Sequence, residues 1–137
     1  MPKKGQKIIF TSLGAMLLNH RCEGINYVTL DEISKLFKSA VGQKEQQTAF
    51  IFKGFADCLT FHRSGNEKPV IKLPYDGVVQ LKRDDAIAGL IFLQYTKKDK
   101  SSLFVLMLSD PSTVTALEEL IHNKNKSAIL WSQTYED

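Results

Sequence analysis

Two apolar, aromatic-rich runs constrain the fold more than any other feature of the chain: Leu90-Ile91-Phe92-Leu93-Gln94-Tyr95-Thr96 and Ser102-Leu103-Phe104-Val105-Leu106-Met107-Leu108, separated by the polar Lys97-Lys98-Asp99-Lys100-Ser101. Their apolar residues populate both faces instead of alternating strictly with polar ones, which is the pattern of strands central in a sheet. The two runs predict a β-hairpin within an α+β domain. A helix follows at once. Asp110 suits an N-cap, Pro111 fits the first helical position where its missing N–H costs nothing, and Val114, Leu117, Leu120 and Ile121 form one apolar stripe. His122 and Lys124 fall near the C-terminal end, where positive charge suits the helix dipole.

Upstream, Thr29-Leu30-Asp31-Glu32 is a capping box: the Thr29 hydroxyl accepts the Glu32 backbone N–H and the Glu32 carboxylate reaches back to the Thr29 N–H. It predicts a helix over 30–41, with Leu30, Ile33, Leu36, Phe37, Ala40 and Val41 on the buried face and Gly42 as a left-handed terminating residue. Val70-Ile71-Lys72-Leu73 and Val78-Val79-Gln80-Leu81 read as short strands flanking Pro74-Tyr75-Asp76-Gly77, whose Pro and Gly suit a type I turn. Ser64 to Glu67 reads as a loop and Cys58 to His62 as a strand. Residues 44–61 fit a helical face through Ile51, Phe52, Phe55, Cys58 and Leu59, but their aromatic density and Gly54 favour two strands broken near Gly54-Phe55-Ala56. Ile8 to Leu18 fits strand and helix equally well. Trp131, in Ala128-Ile129-Leu130-Trp131, is read as covering the edge of the core, with an exposed docking anchor as the alternative.

At 137 residues, 43% hydrophobic and 24% charged, the chain is long enough for a core without disulfide or metal staples, and one domain over residues 1–137 is expected. No apolar run reaches the roughly 18 residues of a membrane span, and Met1-Pro2-Lys3-Lys4-Gly5 leads into no cleavage site, so an intracellular, non-secreted protein is expected, in cytoplasm or nucleus. Cys22 and Cys58 are too few for a disulfide framework. The net charge of +3 conceals an asymmetry: residues 1–100 carry 16 Lys/Arg against 10 Asp/Glu, and residues 101–137 carry 2 against 5. A mild basic field of this kind attracts polyanions without choosing among them, and it also serves solubility.

The order of elements from residue 49 onwards, short strands, then a hairpin, then one amphipathic helix, resembles a pleckstrin-homology (PH)-like domain. The likeness rests on Cys58-Leu59-Thr60-Phe61-His62, on Val70-Ile71-Lys72-Leu73-Pro74-Tyr75 with Val78, Val79 and Leu81, on the hairpin strand Phe104-Val105-Leu106-Met107-Leu108, and on the helix from Asp110. Among PH-like families the Leu73-Pro74-Tyr75 strand end is most similar to the middle domains of FACT-type and related histone chaperones. The resemblance implies a strongly bent antiparallel sheet, or partly open barrel, over about residues 49–122, closed by the C-terminal helix and preceded by a helix-bearing portion, 1–48. It implies a non-enzymatic binding module that engages a protein partner, with chromatin or nucleic acid as narrower versions. A phosphoinositide-binding PH domain is expected to carry a basic cluster between its first two strands. Here Lys53, His62, Arg63 and Lys68 are scattered and interrupted by Asp57 and Glu67.

Catalytic constellations are sparse. His20 and Cys22 form an H-x-C pair, but a closed zinc site needs four ligands, and Cys58 with His62 reads more simply as a buried thiol and a surface imidazole. Neither cysteine sits in a nucleophile signature. No glycine-rich phosphate cradle occurs. Asp76 with Gln80 and Lys82 lacks the second carboxylate of a metal-dependent nuclease, and Asp84-Asp85 reads as an exposed acidic turn. No catalytic residue, metal or cofactor is therefore expected. Candidate polyanion contacts are Lys53, Arg63, Lys68, Lys82, Arg83, Lys97, Lys98 and Lys100. An alternative takes 8–20, 30–41 and 44–61 as three helices and 68–81 as a wing, giving a winged helix-turn-helix that presents Lys44, Gln46, Gln47 and Lys53 to DNA. The partner and the oligomeric state are not specified by the sequence.

Overall fold

Each side of the predicted hairpin is apolar on both faces because the sheet is covered on both. In the computed structural model, which describes residues 7–24, 26–42 and 48–131, the chain runs β1 (Ile8–Glu23), α1 (Leu30–Gly42), β2 (Thr48–Phe55), β3 (Cys58–His62), β4 (Ile71–Pro74), β5 (Val78–Arg83), β6 (Leu90–Lys97), β7 (Lys100–Leu108), α2 (Ser112–Lys124) and β8 (Ile129–Trp131). The strands form one sheet in the order β4-β3-β2-β1-β7-β6-β5-β8. On β6 and β7, Ile91, Leu93, Phe104, Leu106 and Leu108 face the inner core with α2, while Leu90, Phe92, Leu103 and Val105 face outwards and are covered by Ile33, Phe37 and Ala40 of α1.

β1 decides the ambiguity at Ile8 to Leu18 in favour of a strand, and it is the centre of the sheet. It pairs antiparallel with β2 through its first half and with β7 through its second. The register against β7 shifts between Met16 and Leu18, a bulge that lets one long strand bend across both halves. Gly14 lies at this changeover, where an added Cβ would stand 2.7 Å from the Met107 carbonyl oxygen. The sheet therefore begins at residue 8, not 49.

Residues 48–62 are two strands, β2 and β3, turning at Ala56-Asp57, as the aromatic density favoured. With β1 also a strand, the three-helix arrangement of a winged helix-turn-helix is not formed; Phe50, on its proposed reading helix, is buried in the core. Lys44, Gln46 and Gln47 lie outside the described residues. The capping box forms as predicted: Glu32 N–H donates to Thr29 Oγ1 at 3.2 Å and Thr29 N–H to Glu32 Oε1 at 2.9 Å. These bonds from Thr29 hold the Glu32 carboxyl below its ordinary pKa. Gly42 is the last helical residue and does not adopt the predicted left-handed conformation.

Asp110 caps α2 by accepting the Ser112 N–H at 3.0 Å, and Pro111 has helical dihedrals. Pro74-Tyr75-Asp76-Gly77 forms a 3-10 turn over Tyr75–Gly77 between strands that do not pair: β4 is one edge of the sheet, and β5 belongs to the other. Tyr75 is anchored there, its hydroxyl donating to the carbonyls of Phe55 at 2.6 Å and Cys58 at 3.2 Å, and burial pushes its pKa up. The sheet departs from the predicted all-antiparallel form at β8, which pairs parallel to β5. No helix among the described residues is long and apolar enough to cross a membrane.

Candidate functional site

The β5 edge is assembled from three pieces of chain. After α2, Asn125 turns the chain and donates through Nδ2 to the carbonyls of Tyr75 at 2.9 Å and Val78 at 3.1 Å, pinning it to the start of β5. The next residues run along β5 as β8, pairing Ile129 with Gln80, Leu130 with Leu81 and Trp131 with Lys82. Ala128 and Leu130 pack against the inner core, whereas Ile129 and Trp131 are 36% and 37% exposed. Trp131 thus covers the core edge only in part.

A buried amide pair lies beneath it. Gln80 and Gln94 are 1% and 0% exposed, and alternation places them on the outer face of β5 and β6. Gln80 Nε2 donates to Gln94 Oε1 at 2.7 Å and to the Val28 carbonyl at 3.0 Å, and Gln80 Oε1 accepts the Trp131 indole N–H at 2.7 Å. Gln94 Nε2 donates to the Asn26 carbonyl at 2.8 Å, and Gln94 Oε1 accepts the Val28 N–H at 3.2 Å. One network therefore joins β8 to the segment leading into α1. Gln80→Leu removes three of these bonds and strands the Val28 carbonyl, so a loss of about 1–2 kcal/mol is expected. Because Trp131 is the single tryptophan, its fluorescence should shift to the red as β8 detaches, while the denaturation midpoint reports the energy.

At the far end of β5, Arg83 meets α2. Its Nη2 lies 2.6 Å from Glu118 Oε1 and its Nε 3.1 Å from Glu118 Oε2, a two-pronged ion pair that fixes the helix beside the strand. Lys82 lies 3.5 Å from the Asp85 carboxylate and donates to the Arg83 carbonyl. Lys82 and Arg83 thus each pair with a carboxylate of the fold, Lys82 with the exposed Asp85 and Arg83 with the buried Glu118. Lys53 lies half-buried on β2, facing away from Phe50 and Phe52, and Arg63 and Lys68 lie exposed in the β3–β4 connection. The structure gathers only the hairpin-tip lysines: Lys97 and Lys100 are directly opposed across a two-residue turn, shorter than the predicted five-residue loop, with Lys98 at its tip. It adds Arg21 of β1, which the sequence reading missed because β1 was not resolved as a strand.

The thiols and imidazoles do not converge. His20 and Cys22 are exposed on one face of β1, and no group of three or more metal-ligating side chains occurs among the described residues. His62 is buried, contrary to the surface position expected, with its Nε2 2.8 Å from Thr60 Oγ1. Burial, followed by the neighbouring Asp57, pushes the Cys58 thiol pKa up, away from nucleophilic reactivity. Asp84 is used by the turn it starts, its Oδ2 accepting the N–H groups of Ala86 and Ile87 at 2.9 and 2.7 Å.

A bent sheet with a helix inserted after its first strand and a closing C-terminal helix is the PH/PTB-like fold. Among solved structures, the solution structure of the C-terminal phosphotyrosine interaction domain of mouse APBB2 superposes with a TM-score of 0.70 at 9% identity, over 90% of each chain. The DH/PH domains of PDZ-RhoGEF in complex with activated RhoA superpose with a TM-score of 0.56 at 13% identity, over 87% of this chain and 30% of that one. The DH/PH domains of p115-RhoGEF give 0.54 at 9% identity, over 89% and 31%. These likenesses establish the fold. The chain itself belongs to DUF5733, a family of unknown function whose model matches residues 21–125. No curated protein matches it. The resemblance drawn from the sequence is thus upheld for the PH-like fold, and the histone-chaperone likeness is not carried further.

Proposed function

We propose that the protein is a non-enzymatic interaction module that captures an extended segment of a protein partner by adding it as a strand to the β5 edge beside α2. The observation that carries this reading is β8 itself. Among the described residues, a three-residue strand that pairs only with β5, and in parallel, already occupies that edge. Main-chain pairing at a sheet edge supplies affinity, and alternate side chains supply selectivity. The packing of Leu130 against the core and the indole donor on Gln80 Oε1 support a captured strand with an apolar anchor and a hydrogen-bond donor at alternate positions. The fold shared with a phosphotyrosine interaction domain and with DH/PH domains crystallised with RhoA supports a protein partner. A nucleic-acid or chromatin partner engaged through Lys82 and Arg83 is less favoured, since both are committed to ion pairs.

The test uses the full chain carrying Leu130→Asp, which weakens the tethered strand, and a fluorescent peptide copying residues 126–137. The variant is expected to bind the peptide at least tenfold more tightly than the unaltered chain, whose own β8 competes at high effective concentration. Amide shifts should localise to Gln80, Leu81 and Lys82. Failure of both chains to bind, or shifts confined to other strands, would sink the proposal.

A further inference from the structure

The outer face of the sheet is covered over only part of its width. α1 lays Ile33, Phe37 and Ala40 on β6, β7 and the second half of β1, and its cover reaches Ala15. Beyond Ala15 the same face continues across the first half of β1 and across β2, β3 and β4, which neither helix covers among the described residues. A sheet face turned to water is polar at alternate residues, yet Ile8, Leu13 and Val70 stand there 50%, 62% and 47% exposed.

Pairing register arranges this face in three rows that cross the strands. The middle row is basic: Thr11 opposes Lys53, Lys53 opposes Thr60, and Thr60 opposes Lys72. On one side of it Leu13 opposes Ile51 and Ile51 opposes the buried His62, with Val70 following, its N–H donating to the Phe61 carbonyl at 2.8 Å. On the other side Ile8 opposes Phe55, and Cys58 opposes Pro74. Lys53 and Lys72 form no ion pair among the described residues, and no Asp or Glu stands in any of the rows. The face is therefore two apolar rows with a line of positive charge between them.

That arrangement selects its occupant. A second copy laid on this face about a two-fold axis would set lysines against lysines, so the complement is a different chain carrying carboxylates between apolar side chains. α1 shows that a helix is the element the outer face accepts. Lys53 and Lys72 stand two strands apart, roughly 9.5 Å. Helical residues i and i+7 are about 10.5 Å apart along the axis and on nearly the same side, while i+3 and i+4 fall to either side of them. A helix lying along the basic row thus brings carboxylates at i and i+7 to the two ammonium groups, and apolar side chains at i+3 and i+4 to the two apolar rows. We propose that this uncovered part of the outer face docks an amphipathic helix of a protein partner with the pattern acid-x-x-apolar-apolar-x-x-acid. The surface lies on the opposite half of the sheet from the β5 edge, and its test does not depend on strand capture there.

The probe is a labelled, Ala-rich helical peptide of about 16 residues carrying Glu-x-x-Leu-Leu-x-x-Glu at its centre, titrated with the full chain and followed by fluorescence anisotropy. Saturable binding that weakens with salt is expected, with amide shifts at Leu13, Ile51, Lys53 and Lys72. Lys53→Glu/Lys72→Glu should lower affinity roughly tenfold or more, and the peptide with Lys in place of both Glu residues should bind that variant and not the unaltered chain. Leu13→Gln, at a side chain 62% exposed, should lower affinity with the melting temperature nearly unchanged. Leu130→Asp should bind the peptide as the unaltered chain does, which separates this surface from the β5 edge. No binding of the Glu peptide, equal binding of the Glu and Lys peptides, or shifts confined to other strands overturns the proposal. Without peptide binding, sedimentation with phosphatidylserine vesicles that perturbs the same residues would assign the face to an anionic membrane instead, and self-association lost in Leu13→Gln would assign it to a second copy.

Discussion

Replacing Phe61 by Ala is expected to destabilise the fold by about 3–5 kcal/mol, the range for truncating a buried phenylalanine. Its ring, 1% exposed, lies at the centre of an aromatic group: 4.8 Å from Phe52, 6.1 Å and edge-on to Phe50, and 5.7 Å and stacked on Phe104. The contact with Phe104 is the consequential one, since it spans the interior from β3 to β7 and holds the two halves of the bent sheet together. A domain of this size has roughly 5–15 kcal/mol of stability in all, so the loss takes a fifth or more of it. Urea denaturation followed by far-ultraviolet circular dichroism should show the midpoint falling with the slope unchanged. Phe52→Ala, with Phe61 and Phe10 as its ring neighbours, should cost a comparable amount. A cost below about 1.5 kcal/mol at Phe61 would mean that the site collapses around the lost ring and that the sheet halves are held otherwise.

What was legible in the sequence tracks how local the determining interaction is. The capping box at Thr29 and Glu32 is closed by residues three apart, so its hydrogen bonds were readable outright. The two-faced apolar runs of β6 and β7 announced central strands, and the inner and outer cores confirm why neither face is polar. β1 was not legible because its bulge after Met16 breaks the period of two at the point where the strand changes partners. That single ambiguity also hid Arg21, whose neighbour Ser102 is far along the chain. The parallel pairing of β8 left no signal beyond a short apolar run, since its hold on β5 comes from Asn125 and Gln80, residues whose roles appear only once α2 has returned the chain to the sheet. Lys82 and Arg83 looked like free charge in sequence for the same reason: Glu118, the partner of Arg83, is buried on a helix read only by its apolar stripe.

Arg83→Ala is the second change with a large expected effect, about 2–3 kcal/mol. Removing one member of a fully buried ion pair costs about 3–5 kcal/mol because the other charge is left without a partner. Glu118 fits that case, with its side chain 6% exposed and both oxygens on Arg83; the Arg83 side chain is 28% exposed, so water reaches the vacated space and lessens the penalty. Arg83→Lys keeps the charge but loses the second prong, and an intermediate cost is expected. The informative comparison is Arg83→Leu with Glu118→Leu, which removes both charges and should recover most of the stability, since a well-packed apolar pair is often as good as the ions it replaces. If the pair acts only by fixing α2 beside β5, the double variant should also recover capture of the peptide copying residues 126–137 in the Leu130→Asp background, whereas Arg83→Ala should not. Recovery of stability without recovery of capture would place the guanidinium or the carboxylate in direct contact with the added strand.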